Sequence, residues 1–448
     1  MSAARFFLPS SIFLLAFLLS VGLFPFPSEA GLSRETLPNG LNIFILENPA
    51  TSSVSVDLWV KAGSRYEPPK INGISHFVEH LLFKGTSRRT AMDISREIAA
   101  AGGYLNGYTH WEYTQLHISL LPRHLELALE ILSDITQNSQ MTEEMIEKER
   151  KVLSEEISLS NIYPPSYVLN LVCRTLFPEN PLGMPISGTK ETVQAIRRHD
   201  LRQFYQRYYI PNNAFLTLVG KVDPQSTQAM IRSKFDSWPA GIYIPSSPFP
   251  PFRQNQFKRV QERKFIDQAI VVLALQTMGL KDIDRPTFEI INAILGSGGN
   301  SRLYREIREK QALAYLVGSL YHPLSDTGLW AAYAGTDPKN IKQVQSIIFE
   351  QIQRIRQEPI SLKELEEIKN YIAGRTLIRN ENNSALADFI GQGLLAGSWE
   401  LPGEFLAKVQ AVSAEDVMRV AQAYLREGQF NLIILKPYPG LTFLRGLF

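Results

Sequence analysis

The chain has 448 residues, more than one hydrophobic core usually serves, so two domains of similar size are expected. Lys+Arg 46 against Asp+Glu 44 leaves a net charge of +2, which argues against a polyanionic partner and therefore against nucleic acid. The single cysteine, Cys173, excludes an intramolecular disulfide and reads as a buried small hydrophobe rather than a nucleophile.

Residues 1–30 differ from all that follows. Arg5 gives a weakly basic start, Ile12 to Phe24 is largely apolar, and Ser28-Glu29-Ala30 offers small residues at a cleavage point. This pattern is that of a secretory signal peptide, with an uncleaved membrane anchor as the alternative. No later stretch is apolar enough over a sufficient length to span a bilayer. A secreted or periplasmic protein without stable membrane insertion is therefore expected.

Asn39-Gly40 separates Glu35-Thr36-Leu37 from Leu41 to Leu46 as a turn between strands, and Val54 to Val60 alternates as a further strand. In Gly73 to Thr86, His76 and His80 stand four residues apart with Glu79 between them. On a helix these three share a face, opposite Ile74, Phe77, Val78, Leu81 and Leu82. Two histidines one turn apart on the polar face have metal-ligand spacing. Catalytic zinc usually takes three protein ligands and keeps one position open, so a third ligand is expected elsewhere.

Next come a helix at about Ala91 to Ala101, a Gly102-Gly103 break, and Tyr113 to Leu121, whose alternation predicts a half-buried strand. Helices follow at about His124 to Gln137 and Thr142 to Ser158. Glu156 on the second of these is the candidate third ligand, and Glu149, two turns earlier on the same face, suits a supporting carboxylate behind a ligand histidine. An acidic helix taken alone is more often a solvated face. A helix near His199 to Tyr208 and a strand from Ala214 to Val219 close a first domain of residues 32–240.

Pro245, Pro248, Pro250 and Pro251 crowd a Pro-rich linker, 241–261. Residues 262–448 then repeat the first half in outline. A strand at Ala269 to Leu275 leads to a helix at Pro286 to Leu295, Arg305-Glu306-Ile307 parallels Arg96-Glu97-Ile98, and a long helix at about Asn340 to Arg356 follows. A last helix, Glu415 to Leu425, precedes the strand Asn431 to Leu435. The expected class is α+β: two homologous domains, each a mainly antiparallel sheet packed with helices. The run Gly296 to Asn300 is no phosphate loop, since it lacks the Lys-Ser/Thr ending and follows a helix.

Together, His76-Phe77-Val78-Glu79-His80, Gly103 to Thr109, Glu149 to Ile157, Tyr208 to Pro224 and Arg308 to Tyr315 resemble the inverzincin metallopeptidases, the pitrilysin, insulin-degrading enzyme and mitochondrial processing peptidase group. The resemblance covers nearly all of residues 32 to 440 and is to the half-size, two-domain members. It implies that His76, His80 and Glu156 bind one zinc ion per chain, that Glu79 is the general base, and that Glu149 orients a histidine ligand. It further implies that Asn106 contacts substrate backbone, that the strand Tyr113 to Leu121 is an edge pairing with extended peptide, and that Arg308 and Tyr315 hold substrate and stabilise the developing oxyanion. Gly107 stands where the family usually has alanine, and Ala312 where many relatives have glycine. The implied function is a zinc-dependent endopeptidase acting on peptides or unfolded segments. It would work as a homodimer or with a related second subunit, because a half-size chain carries half of the four-domain assembly. A non-catalytic partner subunit is the alternative, which the complete zinc motif disfavours.

Overall fold

The computed structural model describes residues 31–243, 256–397 and 399–439. The expected signal segment, 1–30, lies outside the described residues, as does most of the expected linker. The last residues of that linker, 258 to 261, are not linker but the start of a strand.

The first half opens with strands β1 (Leu32–Thr36), β2 (Asn42–Glu47) and β3 (Val54–Val60). Helices α1 (Ile74–Leu82) and α2 (Ala91–Ala100) follow, then β4 (Tyr104–Thr109) and β5 (Thr114–Leu120). Helices α3 (Leu125–Gln137), α4 (Glu143–Ile162), α5 (Pro164–Leu176), α6 (Lys190–Ala195) and α7 (Arg198–Tyr208) lead to β6 (Ala214–Gly220) and α8 (Pro224–Phe235). The second half runs β7 (Lys258–Lys264), β8 (Ala269–Thr277), α9 (Arg285–Leu295), a wide helical turn over Tyr304–Glu309, β9 (Ala314–Pro323) and β10 (Gly328–Thr336). Helices α10 (Ile341–Gln357), α11 (Leu362–Arg379), α12 (Asn383–Leu395), α13 (Pro402–Ala411) and α14 (Ala414–Tyr424) precede the final strand β11 (Asn431–Pro437).

The two sheets run β1-β2-β6-β3-β5-β4 and β7-β11-β8-β10-β9. Without β1 their topologies coincide. In each, the first and last strands of the unit pair in parallel, β2 with β6 and β7 with β11, and every other pairing is antiparallel. The chain is therefore a tandem duplication at the level of topology, and α9 in the second half holds the place of α1 in the first. Each sheet carries one parallel pair because the last strand returns across a helical layer to the middle of the sheet.

Two expectations for the strand near residue 113 fail. β5 lies inside the sheet between β3 and β4, so the edge strand is β4. Nor is β5 half-buried: Gln115 and His117 on its second face are each only 6% exposed. The reason is an exchange of helices between the halves. Helix α12 packs on β3 and β6 of the first sheet, and α5 packs on β8 and β11 of the second. Leu386, Ala387 and Ile390 of α12 bury against Leu46 and Val219, while Leu171, Val172 and Leu176 of α5 bury against Val272, Ala274 and Ile433. His117 Nδ1 meets Asp57 Oδ1 at 2.7 Å beneath α12, and Arg65 joins Glu112 (2.6 Å) to Asp326 (2.7 Å) across the halves.

Gly391 lets α12 approach this closely, since a Cβ there would lie 2.2 Å from Trp59 Cζ2. Gly391→Ala should therefore destabilise the protein by about 1–3 kcal/mol through overpacking. Gly374→Ala, on α11 where a Cβ meets nothing within 4 Å, should stabilise it by about 0.5–1 kcal/mol through helix propensity. Denaturant unfolding of both variants checks the pair; equal effects of the same sign would contradict the packing described.

Candidate metal centre

Helix α1 carries the two histidines, and its start is fixed by a residue that the sequence reading passed over. The buried Glu67 carboxylate accepts hydrogen bonds from the backbone N–H of Gly73 (2.7 Å) and Ser75 (2.8 Å) and from Asn72 Nδ2 (2.8 Å). It thereby satisfies N–H groups of the first helical turn, where negative charge is also favoured by the helix dipole. Burial raises the Glu67 pKa even against these bonds. Gly73 enters the helix at φ 95, a left-handed conformation that glycine adopts without strain.

The apolar face of α1 goes into the core as its spacing predicts: Ile74, Phe77, Val78, Leu81 and Leu82 are fully buried. The opposite face presents His76, Glu79 and His80 to the neighbouring helix α4. His76 Nε2 and His80 Nε2 stand 3.1 Å apart, and Glu156 Oε2 lies 3.9 Å from the first and 3.6 Å from the second. Ligand atoms about 2.0–2.2 Å from a tetrahedral zinc ion stand about 3.3–3.6 Å from each other, so these separations bracket what one ion needs. Among the described residues, this is the one group of three such side chains close enough to hold a metal.

The tautomer of His80 agrees with ligation. Its Nδ1 lies 2.8 Å from Glu149 Oε1, and a carboxylate can only accept, so Nδ1 carries the proton and the Nε2 lone pair faces the centre. Lys84 Nζ, 2.9 Å from Glu149 Oε2, neutralises the same carboxylate. Burial would raise the Glu149 pKa, but the His80 and Lys84 hydrogen bonds outweigh it and hold the group below the usual carboxylate range. Burial likewise opposes protonation of His80, yet the Glu149 bond raises its pKa, whereas burial and the proximity of His80 push His76 down to about 3. His76 Nδ1 is buried with no hydrogen-bond partner among the described residues, so a supporting carboxylate is seen on His80 only.

Glu79 is 7% exposed and burial raises its pKa, as suits a group that must take up a proton. Its Oε2 accepts a hydrogen bond from Thr109 Oγ1 (3.2 Å) and lies 3.9 Å from His76 Nε2. Gly107 on β4 is pressed against it: an added Cβ would sit 2.3 Å from Glu79 Oε1 and 2.8 Å from Phe83 Cε2. The absence of a side chain there thus sets where Glu79 lies. Neither Thr109 nor Gly107 was singled out for contact with Glu79 in the sequence, because strand and helix meet only in three dimensions.

A cleft of about 610 Å³ contains these groups and is walled by α1, α2, β4 and Glu156. Asn106 belongs to its wall, but in register it pairs with His117, on the sheet face opposite Gly107 and Thr109. The centre thus gathers His76, Glu79, His80, Glu149 and Glu156, with Asn106 at its margin. It does not include Arg308 or Tyr315. Arg308 stacks over the rings of Tyr315 (4.1 Å) and Tyr304 (4.9 Å), donates to the Tyr315 carbonyl (3.2 Å), and neither residue lines the cleft. Tyr315 is 76% exposed. Ala312, between them, has φ 49, a left-handed conformation that favours glycine. Cys173 is buried and its thiol is pushed up to about 12, so it is inert as expected.

Comparison with known proteins places this geometry. Residues 42–190 match the family model described as Insulinase (Peptidase family M16), and residues 195–372 match the model of the Peptidase M16 inactive domain. A Streptomyces coelicolor protein named as an uncharacterized zinc protease is 33% identical over 398 residues, 88% of this chain and 87% of the relative. The crystal structure of a protease from Helicobacter pylori superposes with a TM-score of 0.87 at 24% identity, covering 91% of this chain and 99% of that one. The periplasmic protease PqqL from Escherichia coli shares the fold, with a TM-score of 0.78 at 18% identity over 92% of this chain but only 48% of its own. By family models that span both halves and by a relative similar over most of both lengths, the chain belongs to peptidase family M16.

Proposed function

We propose that the chain is a zinc-dependent endopeptidase for peptides or unfolded segments, and that His76, His80 and Glu156 hold one zinc ion. The observation that carries this reading is the convergence of those three side chains with Glu79 beside them, in a cleft bounded by a free strand edge. Zinc in such a site supplies Lewis acidity, lowering the pKa of a water toward ~7 and polarising the scissile carbonyl. Glu79 takes the proton of the attacking water and returns it to the leaving amine, with Thr109 steadying its second oxygen. Glu149 keeps His80 in the ligating tautomer. The outer edge of β4 has unpaired backbone N–H and C=O groups, so an extended substrate can add there as a further strand. Edge pairing reads no side-chain sequence, which favours flexible chains over folded proteins.

Arg308 and Tyr315 do not line this cleft, so their part in substrate binding would be played from a partner molecule. The chain spans about half of PqqL, and a symmetric homodimer would present the exposed Arg308 and Tyr315 of each copy to the cleft of the other. A related second subunit would serve the same geometry. The N-terminal pattern of residues 1–30 supports export and cleavage, hence a secreted or periplasmic enzyme.

Purified protein should contain about one zinc per chain, and His76→Ala or Glu156→Ala should lose metal and activity together. Glu79→Gln should keep its metal and lose rate by roughly 10²-fold or more, since the ligands stay while the base is gone. Metal analysis beside cleavage of a peptide library, read by mass spectrometry with and without chelator, checks this; full activity in chelator would sink it. For the shared site, Glu79→Gln and Tyr315→Phe proteins, each nearly inactive, should regain activity on mixing and subunit exchange, because one of the two heterodimer sites is then intact. Proven exchange without recovery would count against the homodimer. N-terminal sequencing of protein from its native host should begin near Gly31, and an intact Met1 would favour the membrane anchor.

A further inference from the structure

The second half has its own cavity in the place that the metal cleft holds in the first. It measures about 450 Å³ and is walled by α9, β9, α11 and α12, where the metal cleft is walled by α1, β4 and α4. The metal residues have no counterpart there. Instead α9 contributes Glu289, α11 contributes Arg375 and Arg379, and β9 contributes Tyr321.

Two of the charged groups on this cavity's wall, Glu289 and Arg375, are in no ion pair among the described residues. Glu289 has no cation within 4.0 Å and accepts no hydrogen bond among the described residues, although Arg285, Arg375 and Arg379 all bear on it electrostatically. Arg375 donates to Ser297 Oγ (2.8 Å) and Tyr371 Oη (3.2 Å) but has no carboxylate within 4.0 Å among the described residues. The Tyr321 hydroxyl is buried and has no hydrogen-bond partner among the described residues, and neither has Arg285 Nε. Arg379 reaches Asp388 at 3.2 Å and Arg285 reaches Glu400 at 3.3 Å, so these two guanidinium groups are already partly compensated. One carboxylate and one guanidinium group, each lacking a direct counter-charge, thus share a single small cavity. A carboxylate on the cavity wall with no direct counter-charge attracts a cation that enters, and the exposed Arg375 at the rim is placed to meet an anion.

We infer that this cavity binds a small zwitterion, a free amino acid or dipeptide. The ligand's ammonium would lie against Glu289, and its carboxylate would lie between Arg375 and the Tyr321 hydroxyl. A cavity of this volume suits such a ligand and is near the lower end for small-molecule sites. A simple anion would leave Glu289 unmet and a simple cation would leave Arg375 unmet. Arg375 is exposed at the rim, so the ligand can enter without opening the fold. The inference does not depend on the first half being an active peptidase.

Titration calorimetry of the full chain with Ala-Ala, N-acetyl-Ala-Ala and Ala-Ala-amide tests it. Saturable binding of Ala-Ala is expected, with each capped form weaker by about tenfold or more, the scale of one lost charge-assisted hydrogen bond. Glu289→Gln and Arg375→Ala should each weaken Ala-Ala by a similar factor while leaving zinc content unchanged. Their unfolding midpoints without ligand show whether the fold is intact. No saturable binding of Ala-Ala, equal binding of the capped forms, or binding that survives both substitutions would overturn the inference. Binding that is lost on chelation yet kept in Glu289→Gln would assign the dipeptide to the metal cleft instead.

Discussion

The hydrogen bond from His80 to Glu149 is the contact on which the first half turns. It crosses from α1 to α4 and, with the apolar packing of the same two helices, sets the two histidines on one against Glu156 on the other. An ionised carboxylate as buried as Glu149 costs several kcal/mol in desolvation, and it persists because His80 and Lys84 both donate to it. The apolar face of α1 then fixes rotation. Phe77 and Leu81 can be buried only if His76, Glu79 and His80 face α4 and β4. Packing and metal geometry are therefore two consequences of one helix orientation, and Glu67, by capping the start of α1, sets where the helix begins.

Duplication gives the rest of the chain its form. Two units with the same strand order, β1 apart, differ chiefly in what α1 and α9 carry: two histidines and Glu79 in one, a glutamate facing arginines in the other. A fold does not dictate chemistry, and here one topology hosts a candidate metal centre and a polar cavity of different lining within a single chain. The name of the matching second-half model, an inactive domain, agrees with the missing metal residues.

What could be read in the sequence was what is local. The α1 face followed from residue spacing, and most strands and long helices followed from periodicity, because burial of one face imposes a period wherever that face is regular. What escaped depends on contacts between distant residues. The strand Thr114–Leu120 alternates Gln115, His117 and Ser119 with apolar residues, which reads as one solvated face; in fact α12, more than 250 residues later, covers that face. Sheet order was equally hidden, so the edge was assigned to β5 when β4 holds it. The Glu67 cap spans residues six to eight apart in an irregular loop, where no periodicity operates. Gly107 was visible as a departure from related sequences, but its meaning, a side-chain-free floor for Glu79, needed the strand and helix in place.

The exchange of α5 and α12 also decides which motions are affordable. Separating the halves would expose Trp59, Phe215, Leu386 and Ile390 on one side and Leu171, Leu176 and Phe177 on the other, all now buried. At about 1.5–3 kcal/mol for each large apolar side chain, even these seven represent some ~10–20 kcal/mol, as much as the whole stability of a typical domain. The ion pairs of Arg65 with Glu112 and Asp326 would be lost as well. Hinge opening between the halves of one chain is therefore as costly as unfolding. On the function proposed here a peptide would add at the free edge of β4, and a closing of the site over it would come from a movement outside this pair of interlocked halves.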